Sequence, residues 1–192
     1  MKKLALCIIL VLFPTIIFAS TASSRKYDIY FYKWNKHYFG FNFDWKRHKA
    51  QGIAESNLNP NAKSPVGAEG VMQFMLNTWK EEKEILKFDG DITNPDLNIG
   101  AGIHYMSRLW KMWKAERTFD DRWSYALASY NGGAGNVLAA QRLCIQYDEV
   151  GMDCNSWYAI EVYAEMVNTW KCEESLTYVK RIFKIYERLK NE

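Results

Sequence analysis

The chain has 192 residues, 25 Lys and Arg against 22 Asp and Glu, a formal charge of +3, and 48% hydrophobic residues. Charge this close to balance gives nothing that favours a nucleic-acid binder. The length suits one domain with a real hydrophobic core and leaves few residues for a second.

Lys2 and Lys3 precede an apolar stretch from Leu4 to Ala19, which is followed by small polar residues from Ser20 to Ser24. That order predicts a secretory signal peptide over residues 1–22, with Ala19 and Ala22 as cleavage positions. The stretch is shorter than the roughly 20 apolar residues of a spanning helix, and Pro14 interrupts it, so removal is expected rather than anchoring. Loss of the two lysines leaves 23 basic against 22 acidic residues, a charge of +1. Export to the periplasm or cell envelope would give the mature chain Cys144, Cys154 and Cys172 in an oxidising compartment. A Cys144–Cys154 disulfide across a short polar segment is the first choice. Cys172 is an open alternative partner, and three unlinked thiols are a third arrangement.

Residues 23–43 form an expected N-terminal arm crowded with aromatics, from Tyr27 to Phe43, in which neither a helical stripe nor a strand alternation emerges. Packing onto the domain is the simpler use of such rings, and a sugar-stacking platform the sharper one. From Asp44, a helix cap, the chain reads as a helix through Ser56, so Glu55 sits in its last turn, where the helix dipole disfavours an ionised carboxylate. A loop over 59–70 follows, with Pro60, Pro65, Gly67 and Gly70; the two glycines are expected to serve a turn and a close approach.

Further helices are predicted from Gly70 to Leu86, from the Asn94-Pro95 start onward, from Asp121 to Tyr130, from Ala134 to Cys144, from Trp157 to Trp170 and from Glu174 to Leu189. The last is the cleanest, with Leu176, Val179, Ile182, Phe183, Tyr186 and Leu189 on one face. No strand pattern or internal repeat is visible, and the expected class is mainly α.

The familiar constellations are absent: there is no phosphate loop, GxSxG elbow, HExxH or paired CxxC. His37, His48 and His104 lack ligand-like spacing, so no metal and no cofactor are expected, and His48 and His104 read as ordinary partly buried or surface imidazoles. One carboxylate stands in an unusual context, Gln51-Gly52-Ile53-Ala54-Glu55-Ser56-Asn57-Leu58-Asn59-Pro60, followed by Gly70-Val71-Met72-Gln73.

With Asn94-Pro95-Asp96-Leu97-Asn98-Ile99-Gly100 and Ala128-Ser129-Tyr130-Asn131-Gly132-Gly133, and more weakly Glu174-Ser175-Leu176-Thr177-Tyr178-Val179, these blocks resemble the catalytic domain of the soluble lytic transglycosylases, relatives of goose-type lysozyme. The resemblance covers residues 44 to about 183. It implies a single lysozyme-like helical domain over 44–192, cutting the MurNAc-GlcNAc bond of peptidoglycan with Glu55 as acid and then base, and forming 1,6-anhydromuramoyl products. It also implies that Ser56 and Gln73 position substrate or the carboxyl, that Tyr130 hydrogen-bonds near Glu55, and that Asn131 shapes the cleft. Met72 would be cleft wall or core, and Tyr178 structural or peripheral.

Independently of that likeness, a carboxyl of raised pKa can protonate a leaving glycosidic oxygen. Ordinary glycosidases add a second carboxylate, for which Glu69 is the residue to watch. The rivals are a hydrolytic muramidase and a glycan-binding protein without catalysis. The expected partner is the peptidoglycan strand, with recruitment by an envelope-spanning secretion or conjugation machine as a further role.

Overall fold

The computed structural model describes residue 25 and residues 27–192, and the leader expected over residues 1–22 lies outside them. Eight α-helices carry the described residues: α1 (Asp28–Phe39), α2 (Lys46–Ser56), α3 (Leu76–Leu86), α4 (Pro95–Met112), α5 (Phe119–Gly132), α6 (Ala134–Tyr147), α7 (Trp157–Tyr163) and α8 (Cys172–Lys190). The class is mainly α, with isolated bridges Lys63 to Glu69 and Glu69 to Phe74 as the β pairing among the described residues.

Helix α5 is the central rod. Every residue from Trp123 to Ser129 is buried, because α4, α6, α7 and α8 pack around it. A helix enclosed on all sides needs apolar or small residues all round, which is why Ala126 and Ala128 share it with Trp123 and Leu127. A second cluster gathers Phe31, Leu58, Val71, Met72, Phe74, Trp79, Ile99 and Ile103 from α1, the 57–75 loop, α3 and the start of α4. Phe39 and Ile53 pack against both clusters. The seam between the two cores therefore runs along α2.

Local chemistry sets several helix starts. Asn94 caps α4, accepting from the backbone N–H of Asp96 and Leu97 with Pro95 in the first turn. The Asp44 carboxylate accepts from the Lys46 N–H at 2.9 Å and from the Tyr186 hydroxyl at 2.9 Å, tying the entry of α2 to the end of α8.

Three expectations need correction. The arm is not irregular: Asp28–Phe39 is a helix, with Phe31 and Asn35 buried a turn apart. Its rings point several ways because it is wedged against both α4 and α2, so no single stripe appears. The helix expected from Gly70 begins only at Leu76. Gly70 (φ 85) and Gln73 (φ 48) have left-handed backbone, and Glu69 pairs with Phe74, so Val71, Met72 and Phe74 reach the core from a turn. The helix from Trp157 ends at Tyr163 with one 3₁₀ turn, Ala164–Met166, and Val167 and Trp170 are buried from non-helical backbone. Smaller shifts occur at α5, which starts at Phe119 behind a Thr118 cap rather than at Asp121, and at α8, which starts at Cys172 rather than Glu174.

Cys144 and Cys154 form a disulfide, closing the end of α6 onto the following loop, and Cys172 is free. No helix among the described residues is long and apolar enough to cross a membrane.

Candidate functional site

Helix α2 ends abruptly. Asn57 and Leu58 both take left-handed backbone (φ 52 and 59), which turns the chain back within two residues and leaves Glu55 in the final helical turn. The carboxyl lies half-buried in a cavity of about 470 Å³ that Ala54, Asn131, Glu173, Glu174, Thr177, Tyr178 and Arg181 complete. Three helices thus meet here: the C-terminal ends of α2 and α5, and the N-terminal half of α8.

Burial of the carboxyl pushes its pKa up to about 7, with the charge of Glu174 adding to the rise; the Tyr178 hydrogen bond and the charge of Arg181 oppose it. The Tyr178 hydroxyl donates to Glu55 Oε1 at 2.5 Å and accepts from Gln51 Nε2 at 3.2 Å. Gln51 lies one turn before Glu55 on α2, so one helix face carries both the acid and the group that orients its partner. Burial, with the Glu55 charge beside it, holds the Tyr178 phenol well above its ordinary pKa, so it stays a donor. Glu55 Oε2 has no hydrogen-bond partner among the described residues, which leaves one carboxyl oxygen for a proton or a substrate.

The other expected site residues fall into two groups. Asn131 lines the cavity, with its Oδ1 accepting from Ser175 Oγ at 2.7 Å; it belongs to the last turn of α5, and the cap itself is Gly133. Tyr130 is close enough for the Glu55 charge to raise its pKa, but its hydroxyl donates to the Met72 carbonyl at 2.7 Å instead of to Glu55. The expected tyrosine contact is therefore made by Tyr178.

Ser56 donates to the Val71 carbonyl at 2.8 Å, which latches the end of α2 to the loop. Gln73 donates to the Gly70 and Ala62 carbonyls at 2.9 and 3.3 Å, and its side chain lines a small neighbouring pocket with Tyr105 and Tyr130. Met72 belongs to the core. Its side chain is 0% exposed and lies against Gly102, where an added Cβ would meet it at 2.7 Å, so the cleft is closed to it. Asn98, fully buried, accepts from the Met72 N–H at 2.7 Å and donates to the Ile92 carbonyl at 2.8 Å; a Cβ on Gly70 would strike its amide at 2.2 Å. These residues shape the loop rather than the reacting centre.

Glu69 does not join the cavity; it pairs with Lys63 at 2.6 Å in the loop. The acids that share the cavity with Glu55 are Glu173 and Glu174. Sequence reasoning missed the roles of Gln51 and Tyr178, although both stand in the blocks quoted above. The arm rings Tyr38, Phe39 and Phe43 line a separate pocket of about 300 Å³ with Trp110 and Phe119, by the N-terminal ends of α2 and α5. Among the described residues no carboxylate side chain lines that pocket, and it shares no lining residue with the Glu55 cavity.

The chain belongs to the transglycosylase SLT domain family, whose model matches residues 39–148. It is 32% identical over 167 residues to membrane-bound lytic murein transglycosylase F of Desulfosudis oleivorans, covering 78% of this chain and 34% of that protein. It is 35% identical over 128 residues to the protein of the same name from Aliivibrio fischeri, covering 65% and 24%. The chain thus spans about a third or less of these relatives. Among solved structures it resembles an inactive mutant of lytic transglycosylase Slt from Pseudomonas aeruginosa (TM-score 0.64, 21% identity, 87% of this chain and 25% of that one). It also resembles the 70 kDa soluble lytic transglycosylase of Escherichia coli (TM-score 0.59, 24% identity, 84% and 24%). These likenesses establish the lysozyme-like helical fold.

Proposed function

We propose that this chain is a peptidoglycan lytic transglycosylase in which Glu55 is the catalytic acid and base. The observation that carries the reading is a carboxyl with pKa raised to about 7 in a cavity, with one oxygen engaged by Tyr178 and the other without a partner among the described residues. Such a group is half protonated near neutrality and can both give and take a proton.

In the proposed reaction, Glu55 gives its proton to the glycosidic oxygen as the bond from muramoyl C1 breaks, and the substrate's own N-acetyl oxygen bonds to C1. The Glu55 carboxylate then takes the proton of the muramoyl C6 hydroxyl, whose oxygen attacks C1 and displaces the acetyl oxygen. The products are a 1,6-anhydromuramoyl end and a free GlcNAc hydroxyl, with no water consumed and Glu55 protonated again. Tyr178 steadies the carboxylate between the two steps, and Asn131 is a hydrogen-bonding wall for the sugars. Ser56 and Gln73 act by fixing the loop, and Tyr130 by bracing it at Met72.

A hydrolytic muramidase is the second reading, and Glu174 favours it, because this acid shares the cavity and raises the Glu55 pKa. Water would then replace the C6 hydroxyl as acceptor. Mass spectrometry of muropeptides released from purified peptidoglycan separates the readings. Ends lighter by one water, absent with Glu55→Gln, support the transglycosylase; reducing ends make the protein a hydrolase. Glycan binding with no product from either protein would leave a non-catalytic binding module.

The expected leader and the membrane-bound relatives support action in the cell envelope. A catalytic domain of this size suits local wall opening for an envelope-spanning secretion or conjugation machine. Crosslinking in the native envelope, followed by identification of attached machine subunits, tests that role.

A further inference from the structure

We infer that Arg181 is the receptor for a carboxylate of the substrate strand, which makes it a specificity-determining residue of the Glu55 cleft. The inference rests on the peptidoglycan reading above. It begins with the register of α8, where Glu174, Tyr178 and Arg181 stand at positions i, i+4 and i+7 and so share one face. Ser175, Val179 and Ile182 are buried and seat the helix, while Tyr178 is fixed by its bond to Glu55. Arg181 follows Tyr178 by less than one turn and lines the same cavity as the acid.

The guanidinium is exposed, and no carboxylate among the described residues pairs with it. Its neighbour Lys180 does pair, with Glu161 at 3.0 Å, so the helix does not lack acids within reach of its cations. Among the described residues, Glu55, Glu173 and Glu174 share the cavity with this single cation, and neither Glu173 nor Glu174 forms an ion pair. With Glu55 protonated, an incoming carboxylate is repelled by Glu173 and Glu174 and attracted at one point. A guanidinium also offers a planar fork that matches a carboxylate with two parallel hydrogen bonds, which a lysine cannot do. Unoccupied, the Arg181 charge works against the raised Glu55 pKa. A bound carboxylate cancels that effect at the moment the proton donor is needed. Arg181 lies outside the residues matched by the family model.

Two parts of a strand can supply the carboxylate: the peptide stem, or the lactyl group of a muramoyl unit whose stem has been removed. The test measures binding by calorimetry in Glu55→Gln, where no cleavage intervenes, with and without Arg181→Gln or Arg181→Lys. The ligands are a MurNAc-GlcNAc tetrasaccharide with tetrapeptide stems, the same tetrasaccharide stripped to free lactyl carboxylates, and chitotetraose, which has no carboxylate. Arg181→Gln is expected to weaken at least one carboxylate-bearing ligand roughly tenfold, with Arg181→Lys intermediate and chitotetraose unchanged. Loss confined to the stem-bearing ligand identifies the stem as the source, and loss on the stripped ligand identifies the lactyl group. Any other result, including equal loss on all three ligands, no loss on any, or no measurable binding, overturns the proposal. Failure of the transglycosylase reading shows separately, as a lack of 1,6-anhydro ends from the wild type.

Discussion

Helix α2 buries a titratable side chain near each end, and the two are treated differently. His48, near the start, is fully buried among Phe39, Phe43 and Trp123, with no hydrogen-bond partner for either ring nitrogen among the described residues. Burial, aided by the charge of Arg47, lowers its pKa to about 3, so it is a neutral ring that packs like a hydrophobe. Glu55, near the end, is only half-buried, yet it has a phenol on one oxygen, a cavity around it and a pKa of about 7. A large shift in pKa therefore does not mark function by itself. The useful acid is the one whose neutral and charged forms are close in energy, with a partner to hold it and room for a substrate.

The largest expected break of this contrast is Glu55→Gln, which should reduce release of anhydro ends by more than about a thousandfold while glycan binding persists. The same variant should be more stable at pH 8. The folded pKa lies above the unfolded value, so this group's contribution is complete below about pH 4.5 and is lost as pH rises through about 7. Removing the acid recovers roughly 2 kcal/mol at pH 8, allowing for solvent screening, and nothing at pH 4; thermal melts at the two pH values check it.

Tyr178→Phe comes next, with a loss of about tenfold in kcat. Because the lost bond favours the ionised acid, the alkaline limb of the pH–rate profile should move upward from about pH 7. A limb that stays in place would mean that the phenol does not govern the acid. Cys154→Ser opens the short covalent loop, whose cysteines do not line the Glu55 cavity. It should cost about 3 kcal/mol on the chain-entropy model, on the order of 10 °C in Tm, with activity at 25 °C retained.

The smallest effect at neutral pH belongs to His48→Leu, within about 1 kcal/mol, since an apolar side chain of similar size replaces a ring whose polar atoms gain nothing. Acidification enlarges it. The folded pKa is depressed, so the wild type has this contribution in full above pH 6.5 and loses it as pH falls toward about 3. A pH series of melts should show the variant losing less stability below pH 6, opposite in sense to the Glu55→Gln series.

How much the sequence revealed follows the same division between local and distant causes. The start of α4 was legible because Asn94 and Pro95 act on their own neighbours, and Glu55 stood out as a candidate because its context is contiguous. The start of α3 was misread because Val71, Met72 and Phe74 have helix-like spacing, while left-handed backbone at Gly70 and Gln73 holds them in a turn. Helix α1 was hidden because it packs on two sides and so shows no stripe. Tyr178 could not be ranked from its block alone: its meaning lies in a bond to Glu55, 123 positions away.

A cleft acid that is half ionised at neutrality also has a consequence for inhibitor discovery. Under the proposed mechanism, a compound with a fixed positive charge placed where muramoyl C1 becomes cationic would bind the ionised carboxylate, whereas turnover would need the protonated one. Its potency should climb through the pH range in which the reaction slows. An assay buffered for the highest rate would then rank such compounds near the bottom, and a screen at pH 8 would bring them to the top.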